Sequence, residues 1–125
     1  MIEKFIIITN NSLCRDSFKD LYEIHYIDSS VEEVFKTTRD YIHKGHVLLT
    51  HPLLSSIKPN ETPYRTILVT KAVSEKYDLN SLDIMEKSIH TLEKFLRDFK
   101  TPIWNEQILE DFKFIDYDLT LNVIR

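Results

Sequence analysis

The apolar residues of this chain follow two rhythms. Phe5 to Thr9 is an unbroken β-branched and aromatic run ended by Asn10-Asn11, which predicts a strand buried on both faces. Tyr22 to Ile27 alternates Ile24 and Tyr26 against Glu23 and His25, as a half-buried strand does. Val47 to Thr50 and Thr66 to Thr70 predict two more short strands. Between them runs a 3.6-residue rhythm. Leu13, Phe18 and Leu21 predict a short helix over 13–21, capped by Asn11 or Ser12. Val31, Val34, Phe35, Thr38 and Ile42 predict a second helix. Ser30 and Glu33 form a capping box at its start, and Gly45 ends it in a left-handed conformation.

The strongest helical pattern is Leu82, Met85, Ile89, Leu92, Leu96 and Phe99, which predicts a helix over 81–100 capped by Asn80 or Ser81 and stopped by Pro102. In the tail, 105–111 fits a short helix. From Phe112 onward, Phe112, Phe114, Tyr117, Leu119, Leu121 and Val123 mostly alternate with polar residues, which favours a strand. This order predicts an α/β fold in one domain over 1–125. Its sheet is expected to have four to five mostly parallel strands flanked by helices, in a Rossmann-like three-layer arrangement or a related one.

Composition narrows the function. The chain has 125 residues, 42% hydrophobic and 29% charged, which is ordinary for a globular domain. A net charge of -4 argues against nucleic acid or an anionic membrane surface as the main partner. No apolar run approaches the ~20 residues of a membrane span. One cysteine excludes an intrachain disulfide and fits a reducing cytoplasm. One glycine is too few for the loops that cradle phosphates in P-loop and dinucleotide-binding folds, and no cofactor is implied.

Candidate chemistry sits at the strand ends, because ligands of open α/β sheets bind beyond the carboxyl ends of the strands. The first end offers Thr9, Asn10, Asn11 and Ser12; the second offers Asp28, Ser29 and Ser30. The third offers Thr50 and His51, leading into Ser55, Ser56, Lys58, Asn60 and Glu61. Thr70 and Lys71 join them if the fourth strand is parallel. With two helix N-termini aimed at it, this set suits a carboxylate or phosphate. The plainer account is that these residues are caps and turns.

His43, His46 and His51 fall close together, but His46 and His51 would point to opposite faces of an extended strand, and no metal set is completed. His51 precedes a proline at a strand end and is the one candidate for catalysis, with Glu61 or Asp28 to orient it and Lys58 to hold an anion. Bracing the turn is its ordinary role. Cys14 in a first helical turn would have a lowered pKa, although packing is the commoner use of such a residue. Tyr41, Tyr64 and Trp104 would line a pocket or pack in the core. The seam over 81–100 belongs against the sheet, and its regularity leaves a helix-to-helix homodimer open.

The segment from 44 to 64 resembles the GrdX family. The matching residues are Lys44-Gly45-His46, Leu48-Leu49-Thr50-His51-Pro52-Leu53, Ser56 and Lys58-Pro59-Asn60-Glu61-Thr62-Pro63-Tyr64. Thr9-Asn10-Asn11, Glu110-Asp111-Phe112 and Ile115-Asp116 support it, so the likeness spans nearly the whole chain. The resemblance implies a small cytoplasmic protein of amino-acid-fermenting anaerobes. Its relatives are encoded beside the subunits of glycine, sarcosine and betaine reductase. It carries over no catalytic residue, and it gives weight to the loop 51–64 as a functional surface.

Two readings follow. One is a non-catalytic accessory protein binding a reductase subunit, with Asn60, Glu61 and Tyr64 as an exposed patch. The other is a small-molecule binding protein or small enzyme, with His51, Lys58 and Asn10 in a pocket at the strand ends. The absence of a catalytic constellation favours the first.

Overall fold

A computed structural model describes residues 3–55 and 57–125. The elements run β1 (Phe5–Thr9), α1 (Ser12–Phe18), β2 (Glu23–Tyr26), α2 (Val31–His43), β3 (Thr66–Thr70), α3 (Leu79–Asp98) and α4 (Glu106–Ile124). The strand order is β2-β1-β3. β1 pairs with β2 in parallel, Ile7 opposite Ile24, and with β3 antiparallel, Ile7 opposite Leu68.

The three-layer expectation holds, and β1 explains why. All five of its residues are buried, so both faces need cover. Ile6 and Ile8 join Ile67 and Val69 on the face covered by α2 and α3. Phe5, Ile7 and Leu68 pack with Cys14, Phe18 and Ile124 on the face covered by α1 and α4. The seam of α3 is spent inside the chain: Met85, Ile89 and Leu92 are buried in the first of these clusters, with Leu82 and Leu96 packed against it. Each such side chain, fully buried, stabilises by roughly 1.5–3 kcal/mol. These five residues are therefore not a free face, while Phe99, the last of the predicted seam, lies beyond α3 and is exposed.

The caps follow the sequence in two helices. Asn11 accepts from the Leu13 N–H, and the Ser30 hydroxyl from the Glu33 N–H. Gly45 adopts φ +105°, and a Cβ there would run into the Ser74 carbonyl. For α3 the cap is Asp78, which accepts from the Ser81 N–H, rather than Asn80 or Ser81. α1 stops at Phe18, which leaves Leu21 exposed.

Three expectations are corrected. The sheet has three strands of mixed direction among the described residues, not four to five mostly parallel ones. The segment 47–50 makes a single antiparallel bridge, Leu48 with Val69. Side chains take the other bonds there: Val47 N–H goes to the Thr70 hydroxyl, Leu48 N–H to Ser81 Oγ, and Leu68 N–H to the Thr50 hydroxyl. The tail from Phe112 is helix, not strand. The inward face of α4 carries Lys113, Asp116 and Thr120, while Phe114 and Ile115 face out. An apolar count therefore misses its helical period.

Candidate functional site

The direction of β3 decides which residues meet. Its antiparallel course sends Thr70 and Lys71 to the far end of the sheet, where Lys71 N–H bonds the Lys4 carbonyl, and brings Arg65 and Thr66 beside Thr9. At this near end, the β1 and β2 termini open into a cavity of about 490 Å³. That lies within the ~300–1,000 Å³ usual for ligand pockets. Asn10, Asp28 to Glu32, Pro59 to Tyr64, Thr101, Pro102 and Trp104 line it, with Leu92 and Leu96 of α3 and Lys113 of α4.

Asn10 holds these walls together. Its Nδ2 donates to the Ser29 carbonyl at 3.0 Å and the Pro63 carbonyl at 2.8 Å, and its Oδ1 accepts the Arg65 N–H at 3.0 Å. One buried amide thus ties β1 to the β2–α2 turn and to the loop before β3. The Trp104 indole N–H donates to the Glu61 carbonyl at 2.8 Å and joins that loop to the strap between α3 and α4. Lys113 bonds Glu110 at 3.2 Å, which holds its pKa above the ordinary value, and its ammonium lies 5.6 Å from the Tyr64 ring centre. Asn60 is 5% exposed. Its Nδ2 donates to the Lys100 carbonyl, and its Oδ1 has no partner among the described residues.

Of the residues picked out in the sequence, the cavity gathers Asn10, Asn60, Glu61 and Tyr64, together with Ser12, Asp28, Ser29, Ser30 and Trp104. Asn60 is buried and Glu61 and Tyr64 are half-buried, so they form a wall rather than an exposed patch. Asn11 caps α1 and reaches α4. Thr50 is buried against β3. His46 lies at the far end, its Nδ1 2.6 Å from the Thr70 carbonyl and its ring against Tyr41. His51 is exposed and outside the lining, with Nδ1 accepting the Leu53 N–H at 3.1 Å. Lys58 is exposed too, 5.9 Å from the Phe99 ring centre. Ser56 lies outside the described residues.

Behind the cavity is a buried polar knot that the sequence reading missed. Thr66 donates to Asp116 Oδ2 at 2.6 Å, and Asn11 Nδ2 donates to the same oxygen at 3.0 Å. With its one proton on Asp116, Thr66 accepts from Thr9, 2.7 Å away. Burial pushes the Asp116 pKa up, opposed by these bonds and by Arg65. Burial, with Asp116 beside it, pushes the Cys14 thiol up to about 12, so the first-turn lowering expected from sequence is overridden. Arg65 is buried and donates to Ser55 Oγ and the Ile57 carbonyl, which steadies the loop over it. The visible signal for Asp116 was its place in the motif Ile115-Asp116. Arg65, directly before a buried strand, offered no periodic signal. Among the described residues, no group of three or more His, Cys, Asp or Glu comes together to hold a metal, and no helix is long and apolar enough to cross a membrane.

The architecture is that of a small three-layer α/β domain with a ligand-sized cavity at its strand ends. The lining of that cavity contains neither histidine nor cysteine. The chain belongs to the GrdX-like protein family, whose model matches residues 6–125. No curated protein and no solved structure matches it.

Proposed function

We propose that this chain is a non-catalytic accessory protein of the glycine, sarcosine and betaine reductase system, acting by binding in the cytoplasm of amino-acid-fermenting anaerobes. Family membership supports the system. The observation that carries the binding role is the convergence of Asn60, Glu61, Pro63 and Tyr64, from the motif segment 58–64, on one cavity. The chemistry around it fits binding. The lining offers carboxylates, hydroxyls, amides and aromatic rings, but no imidazole or thiol to act as base or nucleophile. The test is gel filtration of the purified chain with each purified reductase subunit. Co-elution with one subunit, lost in Trp104→Ala and kept in His51→Ala, is the expected result. Independent elution from every subunit, or turnover of a substrate by the chain alone, refutes the proposal.

A further inference from the structure

We infer that the cavity at the β1 and β2 ends takes a small organic cation, an ammonium or guanidinium group carrying N–H donors. This rests on the binding role proposed for that cavity and names its ligand chemistry. Position alone argues for an anion, since α2 points its N-terminus there. The charges reverse that. The first turn of α2 carries Glu32 and Glu33, which offset the helix dipole. Asp28, Glu32 and Glu61 line the cavity, and none of them is in a salt bridge among the described residues. Asp28 feels Arg15 only at longer range. Lys113, the one basic residue of the lining, is already paired with Glu110.

Two further observations point the same way. The aromatic lining attracts cations within the chain itself: the Arg15 guanidinium sits 4.5 Å from the Tyr26 ring centre and Lys113 lies over Tyr64. Trp104, whose face is the strongest of these, carries no such cation among the described residues. Independently, the Asn60 Oδ1 is a buried acceptor without a donor among the described residues. Such a group is unfavourable until an N–H reaches it. An anion would leave it unpaired; an ammonium or guanidinium brings the missing donor.

The test uses the purified full chain at neutral pH and low salt, with binding read by calorimetry. The probes are n-butylammonium, guanidinium and N-acetyl-lysinamide, against acetate and inorganic phosphate. Saturable binding of a cation at millimolar or lower concentration is expected, weakened roughly three- to tenfold by Glu61→Gln or Asp28→Asn and by added salt. Circular dichroism confirms that the variants keep the fold. Binding of n-butylammonium or guanidinium assigns the site to a free cation. Binding of N-acetyl-lysinamide alone assigns it to a basic side chain of a partner protein. The inference is overturned if no cation binds by about 10 mM, if neither substitution weakens binding, or if an anion binds and Glu61→Gln strengthens it. Co-elution with a reductase subunit that survives such a result would leave the accessory role standing and remove only the ligand class.

Discussion

The side-chain amide of Asn11 donates to the Asp116 carboxylate at 3.0 Å, across 105 positions of chain. The same amide donates to the Lys113 carbonyl at 2.9 Å, so the cap of α1 also fastens α4. This junction places Lys113 in the cavity wall, and it makes Asp116 a group on which stability and pH are linked.

Burial raises the Asp116 pKa above its ordinary 3.8. The folded chain therefore holds this proton more tightly than the unfolded one. Its contribution to stability is present below about 3.8 and is lost as pH rises through the raised value. Asp116→Asn keeps an acceptor for Thr66 and removes the titration, so its urea midpoint is expected to fall less over that interval. Asp116→Ala leaves Asn11 and Thr66 without this partner and is expected to cost about 1–3 kcal/mol. An Asn variant with an unchanged pH slope would refute the assignment.

Cys14 is fully buried, with a thiol pKa pushed up to about 12 by burial first and Asp116 second. Native protein at pH 8 is expected to resist iodoacetamide, and urea-unfolded protein to react at the rate of an ordinary thiol. Equal rates in both states would contradict the placement.

The contrast between α2 and α4 shows what was legible in the sequence. The α2 pattern puts Val31, Val34, Phe35, Thr38 and Ile42 inward, all of them buried, and its cap and Gly45 stop were visible as single residues. The inward face of α4 is partly polar because it satisfies Asn11, Thr66 and Cys14, so hydrophobic periodicity points the wrong way. The direction of β3 depends on pairing with a strand 57 positions distant, which no local pattern encodes. The strand ends at which the cavity opens were legible, since caps and turns mark those ends. Trp104 was legible only as an aromatic that would line a pocket or pack in the core, and the walls from α3 and Lys113 were not legible, because they arrive through tertiary packing.

Asn10 uses both ends of its amide on three partners, in the β2–α2 turn and in the loop before β3. Asn10→Ala leaves the buried Arg65 N–H unpaired and is expected to destabilise by about 2–3 kcal/mol in urea unfolding. Hydrogen exchange over 59–65 should rise with it. A change below about 0.5 kcal/mol would show that the clamp carries no energy.

His51 spends its Nδ1 on the Leu53 N–H and stands outside the cavity. His51→Ala is expected to cost roughly 0.5–1.5 kcal/mol and to leave partner and ligand affinities unchanged. A tenfold loss of affinity at constant fold would return His51 to the site.

The most direct measurement of the central claim is hydrogen exchange, read by mass spectrometry, on the chain alone and with the reductase subunit that co-elutes with it. The account expects slowed exchange at 59–64 and 101–104, the two walls joined by Trp104 and Glu61. Protection confined to the far end of the sheet, around His46 and Thr70, or no protection at all, would contradict it.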